Sequence, residues 1–218
     1  MKLRHSLAAV AILCAAPLAR AAEPDDPHAA CKAKAAAAAA DAARPAATAD
    51  VSVLDVALLD QHGASRRFRS EVVGDRAVVV DFVFTTCTTI CPILSARMVR
   101  VQELLGGRAG EDVLLVSVSI DPVRDTPAKL AAYARKWKAG PGWTFLTGPK
   151  ADVDAVLRGL GTYTPDFANH APVFLVGDGR TGRWVRLNGF PDAARIVEQV
   201  DALLAARAAT ASTTGGRP

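Results

Sequence analysis

Between residues 51 and 207 the apolar positions fall into two alternating patterns, short continuous runs and repeats at helical spacing. Ala77 to Phe84 (AVVVDFVF) and Val113 to Ile120 (VLLVSVSI) are near-continuous apolar runs, as strands buried on both faces require. Val53 to Leu59 and Ser65 to Phe68 flank the turn Asp60-Gln61-His62-Gly63 and predict a hairpin, with His62 a solvated turn residue. From Pro92, the positions Leu94, Met98, Val101 and Leu105 recur at helical spacing until Gly106-Gly107 stops them. Thr126-Pro127 supplies an N-cap and a first-turn proline for a helix over Ala128 to Lys138. A strand at Trp143 to Leu146 and a helix over Lys150 to Leu160 follow. A strand pair, Val173 to Val176 and Arg183 to Leu187, turns at Asp178-Gly179, and a closing helix over Asp192 to Ala206 puts Ala194, Val197, Val200 and Leu204 on one face. Strands alternating with helices, then a hairpin and a helix, predict a three-layer α/β/α fold with a mixed central sheet and an N-terminal hairpin.

The chain ends read differently. Residues 1–21 begin with Lys2 and Arg4, continue through an apolar run from Ser6 to Leu18 broken by Pro17, and end on Ala19-Arg20-Ala21, the pattern of a secretory signal peptide. The run is short of the roughly 20 residues that span a bilayer. Residues 22–50 form an Ala-rich tether with no large apolar residue before Val51's neighbourhood to bury, and 208–218 (AATASTTGGRP) a disordered tail. One domain, 51–207, carries the core. The net charge of +4 loses three bases with the leader (Lys2, Arg4, Arg20), and no Lys/Arg cluster with interleaved aromatics argues for nucleic acid. Export to the periplasm places Cys31, Cys87 and Cys91 outside the reducing cytosol.

Cys87 and Cys91 stand at the seam between the first apolar run and the helix that follows. Unpaired N–H groups at a helix start favour negative charge, which lowers a thiol's pKa and makes one of these cysteines reactive. Four residues apart, the two sulfurs converge to close a disulfide or grip one soft metal ion. Asp81 lies inside the buried run, six residues before Cys87, where a carboxyl either shuttles protons for thiol exchange or bonds to the backbone; thioredoxins carry an aspartate at this offset. His170, just ahead of the strand at Val173, is the candidate third ligand, because in a thioredoxin-like sheet that loop lies beside the dithiol. Pro172 is a candidate cis-proline by position. Two thiolates and an imidazole suit Cu(I) and can keep Cu(II). His28 and Cys31 form a loose pair better read as a tether thiol than as a metal site.

At these residues the chain resembles the Sco/SenC family of thioredoxin-like copper proteins, which support assembly of the copper centre of cytochrome c oxidase. The resemblance covers roughly Val53 to Ala206 and rests on three features: Phe84 to Pro92 (FTTCTTICP), like the family's C-x-x-x-C-P; Ser119 to Pro127 (SIDPVRDTP), close to its S-x-D-P-x-R-D-T-P; and the late His170. It implies copper binding by Cys87, Cys91 and His170, and action as a metallochaperone or thiol reductase on the oxidase's copper-site subunit or another exported thiol protein. The protein is expected to be a monomer that meets the membrane only through that partner or an uncleaved leader. The departures are Asn169-His170-Ala171 where the family commonly has Asp-His-Ser/Thr, and Thr88-Thr89 where many members have Pro-Asp. Asp81 and Pro172 lean toward thioredoxin and favour the rival function, a metal-independent thiol-disulfide oxidoreductase. Asp121 to Pro127 reads on its own chemistry as a turn and a helix cap without a catalytic role.

Overall fold

The computed structural model of the chain describes residues 46–167 and 170–214. The leader, the tether as far as residue 45 with His28 and Cys31, Asn169, and the last four residues lie outside the described residues.

The central strands β4 (Ala77–Val83) and β5 (Val113–Ser119) are buried at every position, which is why their sequences show no polar alternation. They pair in parallel, and β6 (Trp143–Thr147) extends the parallel centre on the far side of β5. On the other side β7 (Val173–Asp178) runs antiparallel to β4, and β8 (Arg183–Asn188) antiparallel to β7. The hairpin of β2 (Ala57–Asp60) and β3 (Ser65–Arg67) adds to β6, and a two-residue strand, β1 (Ala47–Thr48), adds to β8. The resulting order among the described residues is β1-β8-β7-β4-β5-β6-β2-β3. This is the mixed α/β sheet that the sequence predicts.

Side chains of β4 alternate between two cores. Val79 and Val83 face α1 (Ile90–Leu105), α2 (Pro127–Lys136) and α4 (Ala193–Thr214), where Leu94, Met98, Leu130, Ile196 and Val200 are buried. Val78, Val80 and Phe82 face α3 (Lys150–Gly159) and a wide helical turn over Phe68–Val73. Each large apolar side chain so enclosed contributes about 1.5–3 kcal/mol. The helix ends follow the sequence signals: Thr126 Oγ1 accepts the Lys129 N–H at 3.4 Å with Pro127 first in α2, and α1 stops at Gly106, whose φ of +56° disfavours any side chain.

Three expectations change. The end of the tether is not free: Ala47 and Thr48 pair with Arg186 and Val185 of β8, a backbone interaction that needs no large side chain. The closing helix continues past Ala206 to Thr214, through residues expected as tail, because Ala-rich sequence extends a helix at little cost. The Ala171–Pro172 peptide is trans, not the cis form proposed from position; trans is the intrinsically favoured isomer of an X-Pro bond.

Candidate thiol and metal site

The C-terminal end of β4 delivers the chain into Phe84-Thr85-Thr86-Cys87, and α1 starts three residues after Cys87. A tight turn, with the Cys87 N–H donating to the Phe84 carbonyl at 3.1 Å, brings Cys87 beneath the helix start. There the Cys91 N–H, one of the donors that a helix leaves unpaired in its first turn, points at Cys87 Sγ from 3.3 Å. Both cysteines are free thiols, Cys87 partly exposed and Cys91 buried with 3% exposure.

The environment separates them chemically. Partial burial of Cys87 works to raise its pKa, but hydrogen bonds from the Cys91 and Thr89 backbone outweigh it, so the thiol lies below its ordinary value. Cys91 is pushed well above its ordinary value, first by burial and then by Cys87 and the charge of Asp81, with a Phe84 backbone hydrogen bond opposing. The sequence left open which cysteine is the reactive one; Cys87, partly exposed and facing the Cys91 N–H, is the candidate. Iodoacetamide at pH 7.5 is therefore expected to modify Cys87 well before Cys91 in the reduced protein, read by peptide mass spectrometry. Equal modification of the two would contradict the assignment.

Asp81 sits on the same face of β4 as Val79 and Val83, with 0% exposure. Its Oδ1 accepts the Ser117 hydroxyl at 2.5 Å, Ser117 Oγ accepts the Trp143 indole N–H at 2.9 Å, and Oδ2 has no partner. Burial pushes this carboxyl up to about 7, with the Ser117 hydrogen bond opposing. Of the two readings of Asp81, proton shuttle or strand-edge residue bonded to backbone, the edge placement does not hold: Asp81 is fully buried on a central strand and bonds to the Ser117 hydroxyl.

His170 belongs to the loop between α3 and β7. Cys87, Cys91 and His170 line one narrow cavity of about 40 Å³ walled by Phe82, Phe84, Leu94, Ile120 and Phe167, room for a single small occupant. The imidazole lies tilted against the Phe82 ring, 5.3 Å between centroids, and hydrogen-bonds the Thr162 backbone. Burial holds its pKa below the ordinary value, the Arg186 charge adding to this and the Thr162 bond opposing, so the ring is neutral at pH 7 as a metal ligand must be. Among the described residues no three His, Cys, Asp or Glu side chains are close enough together to hold an ion. The three predicted ligands thus share a cavity without forming a finished coordination set. In kind the donors fit a soft ion; in position the imidazole is still engaged elsewhere.

The loop is anchored by a residue that the sequence did not single out. Phe167 packs edge-on against Phe84 at 5.2 Å, lies under the Arg124 guanidinium at 5.5 Å, and accepts the His170 N–H at its carbonyl. An aromatic three residues before the late histidine was the available signal.

A mixed α/β sheet with a partly exposed thiol in the loop after its central strand and a buried thiol in the first turn of the next helix defines a thioredoxin-like dithiol protein. Residues 48–201 match the SCO1/SenC family model, and the chain belongs to that family. It is 39% identical over 71 residues to the SCO1 protein homolog of Bacillus subtilis, covering 32% of this chain and 36% of that one. The chain spans less than half the length of the curated relatives it matches. Among solved structures, Bradyrhizobium japonicum ScoI with copper bound superposes with a TM-score of 0.57 at 24% identity, covering 67% of this chain and 96% of that one. BsSco, a member of the Sco family of cytochrome c oxidase assembly proteins in which a disulfide switch was identified, superposes at 0.59 with 23% identity, covering 72% and 95%. Both show the same fold. Among the described residues no helix is long and apolar enough to cross a membrane.

Proposed function

We propose that this protein is an exported copper-binding metallochaperone that delivers copper to, or reduces the thiols of, the copper site of cytochrome c oxidase. The observation that carries the reading is the cavity shared by Cys87, Cys91 and His170. Its apolar walls limit water, and its donors are two sulfurs of opposite reactivity and a neutral imidazole. The copper-bound ScoI structure and the family's association with oxidase assembly support the choice of cargo and partner. Secretion rests on the leader-like residues 1–21.

In this mechanism Cys87 and Cys91 hold the ion and His170, which lines the same cavity, turns from Thr162 to join them. Transfer proceeds by exchange of these ligands for a partner's thiolates. When the pair instead reduces a partner's disulfide, Cys87 Sγ attacks one partner sulfur and the other leaves as a thiolate. Cys91 then gives up its proton and attacks Cys87, so the partner departs as a dithiol and the Cys87–Cys91 disulfide remains.

Copper titration of the reduced protein against a competing chelator tests the ligand set. His170→Ala is expected to bind Cu(I) about 10–100-fold more weakly, at least the loss seen when a residue supporting a metal ligand is removed. Equal affinity would remove His170 from the site. One observation favours the metal-independent oxidoreductase as a second reading: Asp81 is fully buried with one carboxyl oxygen unpartnered, its charge acts on Cys91, and burial pushes it up to about 7, in the range of a proton acceptor for that thiol. Turnover of a disulfide substrate in the presence of a copper chelator separates the two.

A further inference from the structure

The segment from Val83 to Ile90 sets where Cys87 lies relative to α1, yet it carries little backbone pairing of its own. What fixes its start comes from 40 positions further along the chain. Asp125, with 1% exposure, accepts the Thr85 N–H at 3.1 and 3.3 Å on its two oxygens, the Thr85 hydroxyl at 2.6 Å and the Ser119 hydroxyl at 2.7 Å. Asp125 is itself fixed: its N–H donates to the Asp121 carbonyl at 2.9 Å, and the next residue is the cap of α2.

No Lys or Arg side chain pairs with Asp125 among the described residues; neutral donors alone hold the carboxylate. A buried carboxylate is tolerated only when such donors are well placed. Here two of the three belong to Thr85, two residues before Cys87, and the third to the end of β5. The bonds therefore join the loop that carries the reactive thiol to the strand beside it.

We propose that Asp125 is a positioning residue for the thiol pair: its carboxylate holds Thr85, and through Thr85 the approach of Cys87 to Cys91, on the end of β5. The proposal rests on the reading that Cys87 and Cys91 react as a pair. Closing their disulfide depends on how often the two sulfurs meet, an effective concentration that a loosened loop lowers. A stitch with only a structural role would lower stability and leave that concentration alone.

The full chain is equilibrated with reduced and oxidised glutathione, and the Cys87–Cys91 disulfide is quantified by peptide mass spectrometry after trapping. Asp125→Asn is expected to lower the equilibrium constant for the disulfide about tenfold, because the amide keeps one acceptor oxygen where the Thr85 N–H and hydroxyl and the Ser119 hydroxyl share two in the parent. Thr85→Val, which removes one bond, is expected to lower it severalfold, and Thr85→Ser, which keeps the hydroxyl, to rescue it to within twofold of the parent. The double variant Asp125→Asn/Thr85→Val should be no worse than Asp125→Asn alone, since both break the same contact. Asp55→Asn serves as the control: it disturbs bonds to Arg67 and Ser70 near β3 and should lower stability without moving the constant. If Asp125→Asn fails to fold, the Thr85 pair decides alone. Constants within twofold of the parent for Asp125→Asn and Thr85→Val would overturn the positioning role while leaving the thiol chemistry intact. A parent that forms no Cys87–Cys91 disulfide at any glutathione ratio would overturn both.

Discussion

Cys91→Ser is expected to lower Cu(I) affinity by more than about a hundredfold, the upper end of what removing a mere supporting residue costs at metal sites. A serine hydroxyl is a hard donor that stays protonated, whereas Cu(I) selects thiolate. The thiol's raised pKa does not protect against this loss, because a bound ion competes with the proton and takes the sulfur as thiolate. Serine is close to cysteine in size, and its hydroxyl lies at the helix start, so the fold should survive. Chelator competition measures the affinity, and circular dichroism checks the fold. An affinity within tenfold of the parent would mean that copper is held elsewhere.

The second large effect concerns stability. Asp81→Asn is expected to make the reduced protein more stable at pH 8 by on the order of 1–3 kcal/mol and to remove a pH dependence present in the parent. The sign follows from proton counting. The folded carboxyl titrates at about 7 and the unfolded one near 3.8, so between those values the native state holds a proton that the unfolded state has lost. Stability from this group is complete below about pH 4, declines by about 1.4 kcal/mol per unit as pH rises, and levels off above 7. The expected gain is smaller than that full span because the asparagine amide inherits the unpaired position of Oδ2. His170, with its lowered pKa, works in the opposite direction near the top of this window, but it is common to both proteins and cancels in their difference. Asp55, Asp60 and Asp178 are lowered and act only at more acidic pH. Urea unfolding of both proteins from pH 4 to 8 gives the difference curve; a flat one would contradict the burial of a titrating Asp81.

The sequence made the sheet and its helices legible because β4 and β5 are buried on both faces and because α1 repeats its apolar positions without a break. Helix ends were legible where a cap is local, as at Thr126-Pro127 and Gly106. β1 was not, since Ala47 and Thr48 join β8 through backbone groups that any residue possesses. Pro172 shows the limit of reasoning from position, because the isomer depends on a local balance that no side-chain pattern records. At the site, Cys87, Cys91 and His170 could be named because their chemistry is distinctive, and the fold brings all three to one cavity. Their roles could not: burial, which separates the two thiols and neutralises the imidazole, is set by Phe82, Phe84, Leu94 and Ile120 from three parts of the chain. The contact of Asp125 with Thr85 was equally hidden, since each looked locally like an ordinary turn or cap residue.

X-ray absorption on the reduced protein loaded with one equivalent of Cu(I) puts the coordination to the most direct test. The parent is expected to show two sulfur neighbours and one imidazole nitrogen, with the imidazole signal gone in His170→Ala. A sulfur-only environment in the parent, or an imidazole that persists in the variant, would show that the ring at position 170 never leaves Thr162 to reach the ion.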